Sequence, residues 1–155
     1  MNDLLKLNRS IAEHWLGKLD ASQEDYLSYT PVCLGQLSYS PTYLAEALRA
    51  ARHQHENSLR VLALNRQYLR FARLAAADVA AGNPEMLIRL DINLELAHWL
   101  SSLSDEDIAI LALNLRAPIV HFASKAFCKG AAMQSAAAMH HATALIATRA
   151  SIRSR

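Results

Sequence analysis

Residues 58–81 decide the fold, and they read SLRVLALNRQYLRFARLAAADVAA. Apolar residues recur there at steps of three and four, which predicts a long amphipathic helix; they are Val61, Leu64, Tyr68, Phe71, Ala75 and Val79. Leu62, Leu69 and Ala76 widen this stripe beyond what one neighbouring helix covers. Such a width is typical of a helix at a subunit interface, and an ordinary core helix is the alternative. The candidate dimer contacts on this helix are Leu62, Leu64, Tyr68, Leu69 and Phe71.

Start and stop signals follow this segment. Gly82 suits the left-handed position after a helix, and Asn83 with Pro84 predicts a short helix over residues 84–90. Asn93 and Ser104 each predict a helix N-cap. Asp107 stands where the reciprocal partner of a capping box belongs, so the acidic run at 105–107 is interpreted as a helix start and not as a metal or acid–base site. The residues expected to face inward are Leu94, Ala97, Leu100 and Leu103, then Ile108, Leu111, Ala112 and Leu115.

Residues 1–41 differ from the rest of the chain. Apolar residues from Leu4 to Leu19 predict a short amphipathic helix, and the Ser-, Tyr- and Pro-containing stretch up to Pro41 reads as loop. Thr42 is the expected cap of the next helix. We therefore predict an all-α protein with three segments: a partly helical N-terminal appendage at 1–41, a helical core at 42–122 and a basic segment at 123–155.

The composition and the absence of known motifs limit where the protein can be located and which reactions or ligands it can have. No apolar run is long enough to span a membrane. The N-terminus carries the charged residues Asp3, Lys6 and Arg9 among its apolar residues, which is not the pattern of a secretory leader. We therefore expect a cytoplasmic protein in which Cys33 and Cys128 are reduced. Motifs for phosphate loops, dinucleotide binding, zinc hydrolysis and serine hydrolysis are absent, which predicts that the chain is not an enzyme and has no small-molecule substrate. The histidine pairs at 53/55 and 140/141 have poor metal-ligand spacing, so no metal and no cofactor are expected.

Charge is distributed unevenly along the chain. Residues 1–107 contain 10 basic and 14 acidic residues, whereas residues 108–155 contain 6 basic residues and no acidic one. These net charges, −4 and +6, sum to the +2 of the whole chain. A segment that carries only positive charge is attracted to the phosphate backbone of a nucleic acid. The alternative interpretation is that this segment is a basic tail exposed to solvent.

Polar and basic side chains of the C-terminal segment form the candidate DNA-binding set. Lys125 and Lys129 share a face if they are helical, and so do Arg149 and Arg153. A turn at Gly130 followed by a helix over residues 131–152 would give a helix-turn-helix arrangement, with a plain packing helix as the alternative. The candidate DNA contacts are Lys125, Lys129, Gln134, His140, His141, Arg149 and Arg153.

Residues 65–122 carry a resemblance to a known family. Asn65, Tyr68, Leu69 and Ala72 are followed by Arg89-Leu90, by Ile92-Asn93 with Glu95 and Ala97, and by His121-Phe122. This pattern resembles FlhD, the smaller subunit of the bacterial flagellar master activator. The resemblance implies a helical homodimer with a C-terminal helix-turn-helix-like segment, which joins a zinc-bearing FlhC-like partner on promoter DNA. It also places Val120 and Phe122 at the subunit interface.

The chain departs from this family at several positions. Val120 stands where a cysteine links two subunits in the family, so that linkage is expected to be absent. Asp91 replaces a glycine, and residues 1–55 have no recognised counterpart. The function implied is promoter binding with recruitment of RNA polymerase to flagellar genes. Control of conjugative transfer genes and a helical adaptor without DNA contact are the alternatives.

Overall fold

The structure is a computed structural model that describes residues 2–50 and 58–133 of the chain. Helix accounts for 69% of these residues, which confirms the all-α class. The helices of this part are α1 (Asn2–Leu16), α2 (Ala21–Ser28), α3 (Pro41–Arg49), α4 (Leu59–Ala80), α5 (Glu85–Leu90), α6 (Leu94–Ser101), α7 (Asp105–Asn114) and α8 (Ser124–Ala131). Two short strands, β1 (Gly35–Leu37) and β2 (Val120–Phe122), form a two-stranded sheet.

The described residues form two compact units, and each unit is discontinuous in sequence. The first unit contains residues 2–36, Ile88–Asp91 and 122–133. The second unit contains residues 37–50, 58–87 and Ile92–His121. Residues at the N-terminus therefore share a unit with α8, whereas the sequence interpretation treated the chain as three consecutive segments. The functional labels of those three segments stay predictions.

Helix α4 is the centre of the second unit. It packs against α6 and α7, and α3 packs against α7. The buried side of α4 carries Leu64, Asn65, Tyr68, Leu69, Ala72, Ala75 and Ala76. Small alanines on this side let the neighbouring helices approach closely. Arg73 fixes the start of α7, because its guanidinium donates to the Leu103 carbonyl at 3.1 Å and pairs with Asp105 at 2.8 Å.

Asn65 ties α4 to the chain just before β2. Its side-chain amide donates to the Ala117 carbonyl at 3.1 Å, and its carbonyl oxygen accepts from the Ile119 backbone N–H at 2.7 Å. The side chain is fully buried. Leaving either backbone group unpaired would cost about 1–3 kcal/mol, so a polar residue is favoured at this core position.

The helix boundaries within residues 82–107 follow the sequence signals. Gly82 has a φ of 100°, Asn93 accepts from the Leu96 N–H at 2.8 Å, and Ser104 and Asp107 form the reciprocal capping box. All four residues expected to be buried on α7 and at its end are buried: Ile108, Leu111, Ala112 and Leu115. These predictions are confirmed because each depends on residues within one or two helical turns.

Asp91 shows why a glycine is favoured at its position. Its φ is 57°, a left-handed conformation that disfavours most side chains. The Asp91 N–H donates to the Ile88 carbonyl at 3.3 Å and the Ile92 N–H donates to the Leu87 carbonyl at 3.1 Å. This pair of hydrogen bonds is a Schellman motif that ends α5. Aspartate is among the few residues besides glycine that tolerate the position.

Three local predictions are wrong. The stretch read as loop contains α2, which begins with a capping box between Asp20 and Gln23. The cap of α3 is Ser40 rather than Thr42, because Pro41 suits the first helical position and the Ser40 hydroxyl accepts from the Tyr43 N–H. Leu94 is 52% exposed, because α6 turns Leu96 and Leu100 inward instead.

Candidate nucleic-acid interface

Helix α8 carries the two predicted DNA contacts that the structure describes. It buries Phe127, Gly130 and Ala131. Lys125 and Lys129 are exposed, and their spacing of four residues within the helix places them on one face. The helical state on which their pairing depended is therefore confirmed, whereas DNA contact by these lysines stays a prediction.

The first turn of α8 adds to the positive potential. Ala123 occupies the cap position and has no side-chain oxygen to accept from the first amide groups, and no acidic residue lies in the first turn. The first amide groups of a helix point outward and carry partial positive charge, which attracts anions. Lys125 lies in this turn. Position 123 lacks the Ser, Thr, Asp or Asn that usually caps a helix. This feature was visible in the sequence but was not used when the two lysines were singled out.

Aromatic packing in the first unit holds α8 in place. The Phe127 ring lies 5.5 Å from Tyr26 of α2 and 5.4 Å from Phe122, measured between ring centroids. Phe122 in turn lies 6.0 Å from Trp15 of α1. Edge-on and tilted contacts of this kind stabilise beyond the area they bury. Burial raises the pKa of the Tyr26 phenol, which stays neutral in this apolar setting.

Gly130 does not lie at the turn that the helix-turn-helix interpretation predicted there. It lies inside α8, and a Cβ placed on it would lie 2.6 Å from Cζ of Tyr26. Its role is a close approach between α8 and α2, not a turn. The helix predicted over residues 131–152 does not begin at Ala131, because α8 ends at that residue, and residues 134–152 of that prediction lie outside the described residues. Candidate contacts that lie outside the described residues are Gln134, His140, His141, Arg149 and Arg153.

Burial separates the candidate dimer contacts into two groups. Leu64, Tyr68, Leu69, Val120 and Phe122 are buried within the chain itself. In this conformation they present almost no surface to a second copy. Leu62 and Phe71 are partly exposed on α4. Phe71 follows Leu62 by nine positions, which is two and a half helical turns, so the two side chains lie on opposite edges of the buried stripe.

In residues 2–50 and 58–133, no group of three or more histidine, cysteine or acidic side chains is placed to hold a metal ion. The helices of these ranges do not include one with the length and apolar character needed to cross a membrane. Within these residues, neither Cys33 nor Cys128 is part of a disulfide.

The chain is mostly helical, and its helix α8 has an exposed face that carries two lysines. Comparison with protein-family models, with curated proteins and with solved structures found no significant match.

Proposed function

We propose that this chain is a DNA-binding subunit of a transcription activator of the FlhD type. It forms a homodimer, joins an FlhC-like partner on promoter DNA and recruits RNA polymerase, and it catalyses no reaction. The target genes under this proposal are flagellar. The single observation that carries DNA contact is the exposed lysine pair on α8, in a segment of the chain without acidic residues.

Contact with DNA phosphates explains why positive charge is concentrated in the segment that contains α8. Each lysine that neutralises a phosphate releases a condensed counterion, so affinity falls as salt rises. The uncapped first turn of α8 offers backbone N–H donors beside Lys125 for the same phosphate group. Such contacts position a protein on DNA without reading its sequence. Base readout would therefore come mainly from the partner subunit.

The test measures binding of the full chain with its partner to promoter duplex over a salt series. The Lys125→Gln/Lys129→Gln variant is expected to reduce the slope of log affinity against log salt by about 2, since each phosphate contact contributes about 0.9. The matched control is Arg66→Gln/Arg70→Gln, which removes two exposed charges from α4. An unchanged slope in the lysine variant, or an equal loss in the control, would count against contact through α8.

A helical adaptor that does not touch DNA is the second candidate. It is favoured by Leu74, which is 62% exposed on α4 near the partly exposed Phe71. A footprint of the partner alone that equals the footprint of the complex would support the adaptor. Control of conjugative transfer genes would be supported by an FlhC-like reading frame beside such genes.

A further inference from the structure

A cavity of about 330 Å³ lies in the first unit. Leu4 and Leu5 of α1, Leu27 of α2 and Pro31 form its apolar wall. Leu4 and Leu27 are buried, so this wall is part of the core of the unit. A concave space of this size with mainly aliphatic walls is typical of a site for a small apolar ligand.

Hydrogen bonds fix the wall of this cavity. Asn8 is fully buried on α1; its amide donates to the Val32 carbonyl at 2.9 Å, and its carbonyl oxygen accepts from the Leu34 N–H at 2.8 Å. The Cys33 N–H donates to the Arg89 carbonyl at 2.7 Å. These bonds hold the chain after Pro31 against both α1 and α5. A preformed wall reduces the ordering that a ligand must impose on binding.

The charge of the lining is already committed within the protein. Among the described lining residues, Arg89 is the one that carries charge, and it has an interaction partner of its own in the structure. A charged ligand would lose its hydration in this cavity without gaining an available counter-charge, which disfavours its binding. The lining therefore selects an uncharged ligand.

Hydroxyl groups of the lining determine the polar end of that ligand. Ser28, Tyr29 and Thr30 complete the lining. The Ser28 hydroxyl donates to the Asp25 carbonyl at 2.6 Å, and the Thr30 hydroxyl donates to the Tyr26 carbonyl at 2.9 Å. Both protons are therefore engaged, whereas each hydroxyl oxygen keeps lone pairs that accept a further hydrogen bond. A hydroxyl group on the ligand is a small uncharged donor that matches these oxygens.

The volume sets the size of the ligand. At about 30 Å³ for a water-sized group, the cavity holds on the order of ten non-hydrogen atoms. This space fits one unbranched chain of about eight carbons with its hydroxyl group and is too small for a two-chain lipid. We propose that the first unit binds a medium-chain primary alcohol, with its chain among the leucines and its hydroxyl group on Ser28 or Thr30. The alcohol is a bound ligand and not a substrate.

Calorimetric titration of the full chain with 1-octanol tests the proposal. Octanoate and octylammonium share the chain but carry charge, so each is expected to bind at least about tenfold more weakly. From 1-butanol to 1-octanol, each added methylene is expected to strengthen binding by about fourfold. No saturable binding of 1-octanol, or a charged analogue that binds as tightly, would overturn the proposal.

An ether tests the hydrogen bond at the polar end. The compound 1-methoxyheptane has the same number of non-hydrogen atoms as 1-octanol but no O–H group. It is expected to bind about fivefold more weakly, because the lining oxygens then receive no donor. Equal affinity for the ether and the alcohol would overturn the assigned contact with Ser28 or Thr30.

Substitutions at Leu5 locate the site. Leu5→Trp fills the cavity and should abolish binding of 1-octanol, and the smaller change Leu5→Phe should weaken it at least about threefold. The matched control is Leu59→Trp, because Leu59 is 81% exposed in the second unit and the same substitution there should leave binding unchanged. Circular dichroism shows whether each variant is folded. If Leu5→Trp does not fold, Leu5→Phe decides, and undiminished binding by a folded Leu5 variant would show that the site lies elsewhere. DNA is absent from these assays, so their outcome is independent of the proposed transcription function.

Discussion

The close approach of α8 to α2 depends on Gly130 having no side chain. Tyr26 is only 2% exposed, and Phe127 lies against its ring, so the phenol has little room to move away from an added methyl group. A glycine inside a helix costs about 1 kcal/mol relative to alanine. That cost is offset here because the missing Cβ allows α8 to pack on α2.

We expect Gly130→Ala to lower the free energy of unfolding by about 1–3 kcal/mol, because overpacking outweighs the gain in helix propensity. Urea denaturation of the full chain measures this change. In the double variant Gly130→Ala/Tyr26→Leu the added methyl group gains space, so the two substitutions should be coupled rather than additive. A stabilising effect of Gly130→Ala would show that α8 and α2 do not approach this closely.

Glycine positions also show the limit of sequence interpretation at this scale. Gly82 was assigned correctly, because the end of a helical pattern, an asparagine and a proline surround it. Gly130 was read as a turn, because its neighbours along the chain fit either role. The residue that explains it, Tyr26, is more than one hundred positions away in a stretch that had been read as loop. Long-range packing of this kind leaves no local signal.

The sequence predicted the caps of α6 and α7 correctly, whereas it assigned the cap of α3 to the wrong residue and missed the capping box of α2. In the capping box at the start of α7, the Ser104 hydroxyl accepts from the Asp107 N–H at 3.0 Å. The Ser104 backbone N–H and then its hydroxyl donate to the Asp107 carboxylate, each at 2.8 Å, and both hold the Asp107 pKa below its usual 3.8. Since these bonds lie within one turn, residue types at fixed spacing were sufficient to predict them.

The lowered pKa gives a prediction about pH. A carboxyl group with a depressed folded-state pKa contributes stability above its unfolded value near 3.8, and the contribution is lost as pH falls through the lower folded value. In an NMR titration, Ser104→Ala should raise the Asp107 pKa only part of the way to 3.8, because the backbone donor remains. The same variant should cost about 1 kcal/mol at neutral pH through loss of the cap. An unchanged Asp107 pKa in Ser104→Ala would contradict the hydroxyl contribution.

At the scale of the whole molecule, the periodicity of α4 predicted a buried helix but not what buries it. An apolar stripe looks the same whether the chain or a second copy covers it. Tyr68 and Leu69 were candidate dimer contacts on this ground, yet both are fully buried within their own chain. The division into two units was not predicted either, because residues distant in sequence complete each unit. Local patterns contain no information about that pairing.

If the proposed homodimer forms through α4, we expect it to use the edge that carries Phe71 and Leu74. Phe71 is partly exposed, and Leu74 lies three residues further along on the neighbouring surface, 62% exposed. Leu62 lies on the opposite edge of α4, so it cannot be part of one surface with Phe71 and Leu74. A second copy that buries both Phe71 and Leu74 would remove an apolar patch from water, at about 25 cal/mol for each Å².

Sedimentation equilibrium of the full chain tests this assignment. The wild type is expected to be a dimer, and Phe71→Glu/Leu74→Glu should be a monomer, because an unpaired carboxylate in an apolar interface costs several kcal/mol. Leu59→Glu is the matched control on the same helix, since Leu59 is 81% exposed and a charge there should leave the dimer intact. Dissociation by Leu62→Glu, with a Phe71→Glu/Leu74→Glu variant that still dimerises, would move the interface to the other edge. A wild-type chain that is monomeric at micromolar concentration would remove the homodimer from the proposed function, and with it the means by which two lysine helices act together on one promoter.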